Sequence, residues 1–451
     1  MDSFHSAKAI SPLDGRYYKK VSALSDYFSD FSLVKTRLKV EVEYYIKLMQ
    51  RLDHNHELSS NTIDRLRELY DQFSLEDYDK VSQIEAVVNH DVKSVELFLK
   101  DHVTELLSAE MAEFVHFGLT SQDVNDVAIP YLLGEATNSV MIPNIEELIE
   151  FLDEKILSFR DVSFIARTHG QPASPTTLGK EIGVFSYRLK SELDQLKGIC
   201  LTGKFGGATG NFNAHILAYP DIDWDTFGTE FLAENFSLTR SRLTTQIDNY
   251  ESLSRTFSSF GRIAGILQDL SQDMWMYLLL GLITLEVKPE EVGSSAMPHK
   301  VNPISFENAE GNLQVAIAMF EFLARKLLVS RLQRDLTDYT VKRNIGIPMG
   351  HLLLSLHSLS TGLPKIRPHA ENIKEDLKKN FVVIAEGIQT VLRSEGVENS
   401  YDLVKDLVRG TSIDYCGVQK WINDLDVDLA VKQRLLDITP ETYIGNAAEV
   451  K

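Results

Sequence analysis

Residues 249–281 read NYESLSRTFSSFGRIAGILQDLSQDMWMYLLLG, and the spacing of their seam positions decides the fold class. These positions recur at alternating steps of four and three, as in a long helix that packs within a bundle. They are Leu253, Phe257, Phe260, Ala264, Leu267, Ser271, Met274 and Leu278. At a rise of about 1.5 Å per residue the predicted helix is about 50 Å long. A seam of this length needs partner helices, so the sequence predicts an all-α bundle and favours oligomerisation through it.

Two further segments repeat this helical period, and we find no internal repeat and no block with the period of two that strands show. One segment carries Ala309, Leu313, Ala316, Phe320, Leu323 and Leu327, and the other carries Ile182, Phe185, Leu189 and Leu196. Helices are also predicted roughly over 22–52, 60–73 and 91–107, and from about 365 onward the helices are shorter and more acidic. Helical periodicity therefore dominates the whole chain.

Composition excludes several classes of function. The 451 residues include 46 basic and 65 acidic side chains, a net charge of −19, so a nucleic-acid partner or an anionic membrane partner is not expected. Cys200 and Cys416 are the only cysteines, which excludes a disulfide framework and a cysteine-rich metal site. The longest apolar run, 274–285, falls short of the roughly 18 residues of a membrane span, and the chain begins without a signal pattern. We predict a soluble, cytoplasmic protein without a bound metal.

The segment 293–303, GSSAMPHKVNP, is predicted to be a loop between two long helices. Its glycine and two prolines oppose a helix, and Asn302-Pro303 is typical of a helix restart, with Asn as the N-cap. The loop offers the hydroxyls of Ser294 and Ser295, an imidazole and the ammonium of Lys300. These groups can bind and stabilise an oxyanion, although a polar linker is the alternative for such a composition.

Three other short segments have both a chemical and a structural interpretation. RTHGQP at 167–172 contains His169. Histidine is the residue type suited to proton transfer near neutrality, but this one could equally cap the helix expected to start near Thr177. GLTSQDVN at 118–125 would serve as an ordinary helix N-cap, and NHDVK at 89–93 is a helix start or a substrate-facing turn. The residues alone leave these alternatives open.

The segment 325–343 carries a local basic cluster in an acidic chain. Six basic residues stand there against two aspartates, and guanidinium groups bind phosphate and carboxylate with two hydrogen bonds. Arg334 and Arg343 are therefore candidate anion clamps, although such runs often form a solvated face. The glycine-rich stretch 203–211 lacks the Lys-Ser/Thr ending of a P-loop, so we interpret it as a tight crossing between helices.

Taken in order, these segments resemble the three sequence blocks of the fumarase/aspartase superfamily, and the match covers nearly the whole chain. The loop is similar to the G-S-S-x-M-P-x-K-x-N-P signature, with Thr-His-x-Gln and Thr-Ser as the other two blocks. Within the superfamily, His299, the string NHDVK and the string DGRY at 14–17 resemble the adenylosuccinate lyase family. One departure is Tyr339, which stands where that family commonly has serine.

The resemblance implies an elimination that releases fumarate from adenylosuccinate and from the succinylated aminoimidazole-carboxamide ribotide, without a cofactor. It implies that His169 is the general acid and Ser294 the general base. The substrate-binding residues that it implies are Arg16, Tyr17, Asn89, His90, Asp91, Thr120, Ser121, Gln246, Lys300, Asn302, Arg334, Tyr339, Thr340 and Arg343. Alternatives are another fumarate-releasing lyase of the superfamily, or a non-catalytic structural protein on the same scaffold.

The resemblance also implies an architecture of three helical domains. An N-terminal domain would span 1–110, a central long-helix domain with the catalytic loop 111–364, and a C-terminal domain 365–451. The central helices would form a twenty-helix core in a homotetramer, with active sites shared between subunits.

Overall fold

The computed structural model describes residues 6–52, 58–286, 297, 300–408 and 415–450, and helices dominate it. In chain order the first helices are α1 (Tyr18–Val21), α2 (Ser25–Phe28), α3 (Asp30–Arg51), α4 (Ser60–Asp71), α5 (Leu75–Val88), α6 (Asp91–Leu106), α7 (Ala109–Ala112) and α8 (Ser121–Ala136). Side chains of serine and histidine cap several of them, as at Ser29, whose hydroxyl accepts the Ser32 N–H at 3.2 Å, and at Ser74, which forms a capping box with Asp77.

The middle of the chain contains the longest helices. A π-helical turn (Thr137–Met141) joins α8 to α9. The helices that follow are α9 (Ile142–Phe159), α10 (Leu178–Lys197), α11 (Asn213–Ala218), α12 (Trp224–Phe236), α13 (Glu251–Leu279), α14 (Ile304–Lys326), α15 (Thr337–Lys342) and α16 (Gly346–Gly362). The last helices are α17 (Ala370–Lys379), α18 (Ala385–Ser394), α19 (Ser400–Val408), α20 (Tyr415–Asp424) and α21 (Leu429–Leu436).

The strands are short and form two-stranded pairs. β1 (Ser163–Thr168) and β2 (Gln171–Thr177) are antiparallel, β3 (Thr202–Gly203) and β4 (Thr239–Arg240) are parallel, and β5 (Ile283–Leu285) and β6 (Ile366–Pro368) are antiparallel. The all-α prediction is confirmed, with these strands as small additions to a helical fold.

The predicted helix over 249–281 is confirmed as α13, and its seam is buried over most of its length. Phe257 and Phe260 have no exposed surface, and their rings lie 6.3 and 5.6 Å from the ring of Phe320 on α14. These ring contacts show that the seams of α13 and α14 pack against each other. Aromatic side chains contribute strongly to such packing, because each one removes a large apolar area from water.

The chain divides into two compact units. The first comprises Met1–Ile145, Glu192–Gly265 and Asn312–Ser355, and the second comprises Glu146–Ser191, Ile266–Gly311 and Leu356–Lys451. The first unit has an apolar core between α3, α6, α8 and α12, and the second has a smaller core around α18 and α20. In the described residues we find no helix that is both long and apolar enough to cross a membrane. The division at 110 and 364 stays a prediction.

Three details differ from the sequence-based expectation. The predicted helix over 22–52 is a series of shorter pieces, because the backbone at Ser29 is extended and its side chain starts α3. The segment around His169 is a β-hairpin and not simply a turn before a helix. Helix α14 starts at Ile304, where the carbonyl of Pro303 accepts the first helical hydrogen bonds, so the expected cap at Asn302 is one residue early.

Candidate active site

A buried arginine that the sequence analysis did not single out joins three of the predicted blocks. Arg37, on α3, has a side chain with 1% exposure. Its Nε donates to Asn125 Oδ1 at 2.9 Å, and one terminal nitrogen donates to Asp91 Oδ2 at 2.9 Å and to Tyr339 Oη at 2.5 Å. One guanidinium therefore holds the starts of α6 and α8 and the short helix α15 together in the first unit.

Asp91 and Tyr339 form the centre of this cluster, and Arg343 completes it. The Tyr339 hydroxyl donates to Asp91, and a terminal nitrogen of Arg343 lies 2.7 Å from the phenol and 3.5 Å from the carboxylate. Burial alone would raise the pKa of Asp91, but the charge of Arg37 and the hydrogen bond from Tyr339 hold it below its ordinary value. Burial raises the pKa of the Tyr339 phenol, so it stays a donor at neutral pH.

His90 has a fixed orientation and a fixed tautomer at the start of α6. Its Nδ1 accepts the backbone N–H of Lys93 at 3.1 Å, so the neutral ring carries its proton on Nε2. That nitrogen lies 3.4 Å from the hydroxyl of Ser121 at the start of α8. The preceding residue, Asn89, ends α5 in the left-handed region with φ 52°, which turns the chain between the two helices.

Asp123, at the start of α8, binds the backbone of the glycine-rich loop at 203–211. Its carboxylate is fully buried and accepts the backbone N–H groups of Gly206 at 2.8 Å, Gly207 at 3.1 Å and Thr120 at 2.8 Å. The ammonium of Lys204, also fully buried, lies 2.7 Å from the same carboxylate. The loop is thus a tight crossing held by charge, and it lies directly beside the predicted Thr-Ser block.

Arg334 lies between two glutamine side chains. Its guanidinium donates to Gln246 Oε1 at 3.3 Å, and the Gln246 amide in turn donates to the carbonyl of Ala208 at 3.2 Å. With the Gln122 amide assigned so that its oxygen faces Arg334, that oxygen accepts at 2.6 Å. Two predicted substrate-binding residues, Arg334 and Gln246, are therefore in direct contact.

Arg16, Tyr17 and Thr340 belong to the same unit but lie outside the contacts above. The Arg16 guanidinium lies 5.9 Å from the centre of the Tyr17 ring, in an exposed turn that Leu13 anchors in the core. Thr340 is an exposed residue of α15, one position after Tyr339. Among the described residues, no hydrogen bond links Arg16 or Tyr17 to the Arg37 cluster.

His169 lies in the second unit at the tip of the β1–β2 hairpin. Thr168 pairs with Gln171, so His169 and Gly170 are the two turn residues, and their φ angles are 53° and 73°. A two-residue hairpin turn of type I′ needs positive φ at both positions, which explains the glycine. The His169 side chain is exposed.

Of the predicted loop at 293–303, the structure describes only residue 297 and residues 300–303. Lys300 is exposed, with its backbone N–H 3.0 Å from the carbonyl of Met297, and Asn302 is partly buried. The predicted base, Ser294, and its neighbour Ser295 lie outside the described residues. In the part of the chain that the structure describes, no group of three or more His, Cys, Asp or Glu side chains could hold a metal ion.

Two histidines lie beside the block at 118–125, His116 partly buried and His215 fully buried. Burial lowers the pKa of the His116 imidazole, but the charge of Glu41 and a hydrogen bond of 2.5 Å to it outweigh burial and raise the pKa to about 9. Burial lowers the pKa of His215 to about 4, so that ring is neutral near pH 7. The His215 ring fills the space beside Gly118, where a Cβ would lie 2.6 Å from its Cε1 atom.

Sequence reasoning missed Arg37, His116 and Lys342 as supports of the site. A signal was available for Arg37, because a charged residue interrupts the apolar face of α3 between Val34 and Leu38. Charged residues at such positions are rarely fully buried unless they are paired. The identity of the partner, 302 residues away in the case of Tyr339, could not be inferred from that position.

Comparison with known proteins identifies the family of the chain. A model of the lyase family matches residues 15–317, and a model of the adenylosuccinate lyase C-terminal domain matches residues 330–444. An adenylosuccinate lyase of Dictyostelium discoideum is 45% identical over 97% of this chain and 96% of its own. An adenylosuccinate lyase of Escherichia coli K12 is 40% identical over 98% of this chain and 97% of its own.

Solved structures share the fold at low sequence identity. The chain is similar to a fumarate lyase from Mesorhizobium sp. BNC1, with a TM-score of 0.74 and 18% identity over 95% of this chain and 96% of that one. It is equally similar to a 3-carboxy-cis,cis-muconate lactonizing enzyme from Pseudomonas putida, with a TM-score of 0.74, 20% identity and 95% coverage of both chains. The family models and the full-length relatives show that the chain belongs to the adenylosuccinate lyase family.

Proposed function

We propose that this protein eliminates fumarate from adenylosuccinate, giving AMP, and from the succinylated aminoimidazole-carboxamide ribotide, in purine biosynthesis. Full-length relatives named adenylosuccinate lyase support the substrate class. The proposal rests mainly on one cluster of side chains, which joins three separate blocks of the sequence around two guanidinium groups. Its members are Arg37, Asp91, Tyr339 and Arg343. Of the two, the Arg343 guanidinium is partly exposed, and a group of this kind binds carboxylate and phosphate, the anions that a succinylated ribotide carries.

The reaction requires four events at neighbouring atoms. A base removes a proton from the carbon beside a carboxylate, the resulting aci-carboxylate is stabilised, and the C–N bond breaks as a C=C bond forms. The departing nitrogen then takes a proton. We assign the base to Ser294 and the acid to His169, because an exposed imidazole on a rigid hairpin can approach a leaving group. A neutral serine hydroxyl is a poor base, so Lys300 stabilises the alkoxide of Ser294 that removes the proton.

The remaining residues bind the substrate. Thr120, Ser121, Lys300 and Asn302 hold the carboxylates of the succinyl group, and His90 orients the substrate through its Nε2–H. The other proposed contacts, which hold the phosphate, ribose and base, are Arg16, Tyr17, Asn89, Asp91, Gln246, Arg334, Tyr339, Thr340 and Arg343. The contacts of Arg334 with Gln246 and of Arg343 with Tyr339 support two anion clamps with fixed side chains. No cofactor takes part in this mechanism.

We propose that the protein is a cytoplasmic homotetramer with three helical domains per chain and with sites shared between subunits. Val315 and Phe322, seven residues apart on α14, are 42% and 46% exposed, which supports burial of this helix face against another copy. Sedimentation of the purified protein tests the tetramer.

Turnover of adenylosuccinate by the purified protein tests the activity. The absorbance of the purine changes when fumarate leaves, so the reaction can be followed directly in a spectrophotometer. We expect rapid turnover of adenylosuccinate and none of argininosuccinate, malate or aspartate in parallel assays. Turnover of one of those compounds instead would indicate another lyase of the superfamily, and a folded protein that acts on none of them would indicate a structural role.

A further inference from the structure

Lys342 lies at the centre of a buried polar cluster that the proposed mechanism does not use. Its side chain is 1% exposed, and its Nζ lies 2.8 Å from Asp126 Oδ1, 2.6 Å from Tyr250 Oη and 3.1 Å from Asp338 Oδ2. Three separate parts of the first unit meet at this ammonium: α8 through Asp126, the start of α13 through Tyr250, and α15 itself.

Among the described residues, no other group in the cluster can supply the hydrogen-bond donors and the positive charge that the Lys342 ammonium provides. Burial keeps the pKa of the Tyr250 phenol well above its ordinary value, so its single proton serves one of two carboxylates, Asp126 at 2.8 Å or Asp338 at 2.9 Å. The other Asp126 oxygen accepts the Asp248 N–H at 2.9 Å, and Asp338 Oδ1 has no hydrogen-bond partner among the described atoms. Lys342 supplies three donors and the positive charge that offsets two buried carboxylates.

The position of Lys342 on α15 connects this cluster to the site. Asp338 and Lys342 are four residues apart and share one stripe of the helix, which is buried. Tyr339 and Arg343 follow each of them by one residue, so they share the adjacent stripe, about 100° further around the helix axis. Anchoring the first stripe therefore sets the rotation of the helix and the direction in which the second stripe points.

The same cluster also reaches Arg334, which precedes α15. With the Gln122 amide assigned as above, its nitrogen lies 3.2 Å from Asp126 Oδ1, and its oxygen accepts from Arg334 at 2.6 Å. Asp126 therefore bonds to Lys342 directly and to Arg334 through one amide. Both proposed anion clamps of the 334–343 segment depend on contacts that converge on this carboxylate.

We propose that Lys342 is a positioning residue, whose buried ammonium fixes the rotation of α15 and so sets the geometry in which Tyr339 and Arg343 hold the anionic part of the substrate. This inference rests on the proposed function. It predicts that loss of the charge weakens substrate binding more than it slows the chemical step, because the reacting groups are on other segments.

The test compares Lys342→Met with Leu66→Ala, a matched control in the core of the same unit, where Leu66 on α4 is fully buried. We expect both variants to lower the melting temperature, because each one removes a buried side chain from its packing or pairing partners. We expect Lys342→Met to raise KM for adenylosuccinate by about tenfold or more, with kcat within about threefold of wild type, because clamp contacts are lost without loss of acid or base. Leu66→Ala should leave KM unchanged.

Two further variants keep the test decisive if Lys342→Met folds poorly. Lys342→Met with Asp338→Asn leaves one buried carboxylate instead of two, so it should recover stability while KM stays raised. Tyr250→Phe keeps every charge and should raise KM by about threefold or more, because it removes the hydrogen bond that the phenol donates and the one that it accepts from Lys342. Equal KM values in the Lys342 variants and Leu66→Ala overturn the positioning role, whereas a wild-type protein inactive on adenylosuccinate overturns the proposed function itself.

Discussion

The buried pair of Glu41 and His116 predicts how stability depends on pH. Glu41 is fully buried on α3, and His116 adopts φ 57° in the turn that leads into α8. The pKa of His116 is raised to about 9 in the folded protein, compared with about 6.5 in an unfolded chain. Because the folded value is the higher one, the stabilisation is complete below about pH 6.5 and is lost as the pH rises through about 9.

The size of this effect follows from the difference between the two pKa values. A difference of about 2.5 pKa units, at about 1.36 kcal/mol each, corresponds to about 3 kcal/mol of unfolding free energy. That is a large share of the roughly 5–15 kcal/mol that stabilises a typical domain, so it is measurable. His116→Gln removes the titrating group while its amide can still donate to Glu41, so the variant lacks the pH-dependent part only.

The contribution of His116 to the unfolding free energy can be measured by urea unfolding of wild type and His116→Gln. Unfolding is followed by circular dichroism at constant ionic strength between pH 6 and 10. Tyrosines that titrate at high pH are common to both proteins, so the difference between the two curves reports His116. We expect that difference to shrink by about 3 kcal/mol between pH 6.5 and 9.5. Glu41→Gln should also abolish most of the slope. Parallel curves for wild type and His116→Gln across this range would refute the reasoning.

Three further predictions concern the site. His169→Ala and Ser294→Ala should each lower kcat by about 10²–10⁴-fold without changing the melting temperature. If sites are shared, oligomers that mix subunits of the two variants should recover about a quarter of wild-type activity. Mixed oligomers that stay inactive would place both residues in one chain. Arg343→Ala should raise KM for adenylosuccinate far more than KM for an analogue without phosphate, and equal effects would indicate a structural arginine. Gly118→Ala should lower unfolding free energy by about 1–3 kcal/mol in urea titrations, because its φ is 68° and its Cβ would collide with the His215 ring.

The sequence predicted the long helices well because their pattern is a property of single segments. In α13 each seam residue follows from the helical period, and the partner helix α14 shows the same period independently. The break between α2 and α3 also had a local signal, since a serine before an aspartate, here Ser29 before Asp30, is a common helix N-cap. The apolar period continues across this break, so the pattern alone predicted one uninterrupted helix. The hairpin at His169 was hidden for a different reason: Pro172 and Pro175 argue against a strand unless it is short and at an edge.

The site was only partly predictable, because its polar residues have two uses that sequence cannot separate. Thr120 and Asp123 do start a helix, as the cautious interpretation had it, and Asp123 also holds the glycine-rich loop. The pairing of a cation with a carboxylate hundreds of residues away depends on packing of the whole unit. No local pattern distinguishes the buried Lys342 from the partly exposed Lys326, although both lie in the basic cluster.

The start of α8 is the common element in these long-range pairings. Three polar positions within one turn of that helix each contact a different buried cation: Asp123 contacts Lys204, Asn125 contacts Arg37, and Asp126 contacts Lys342. Burying a charge is costly, and replacing such a pair with apolar residues often costs a protein nothing in stability. Two of these contacts are ion pairs, Asp123 with Lys204 and Asp126 with Lys342, and stability alone does not account for two such pairs in one turn. The shared effect of the three contacts is to hold the glycine-rich loop, the start of α6 and α15 in fixed positions around the Thr-Ser block. An elimination that stabilises a dianion needs such prearranged groups, since donors that must reorganise during the reaction lose most of their effect.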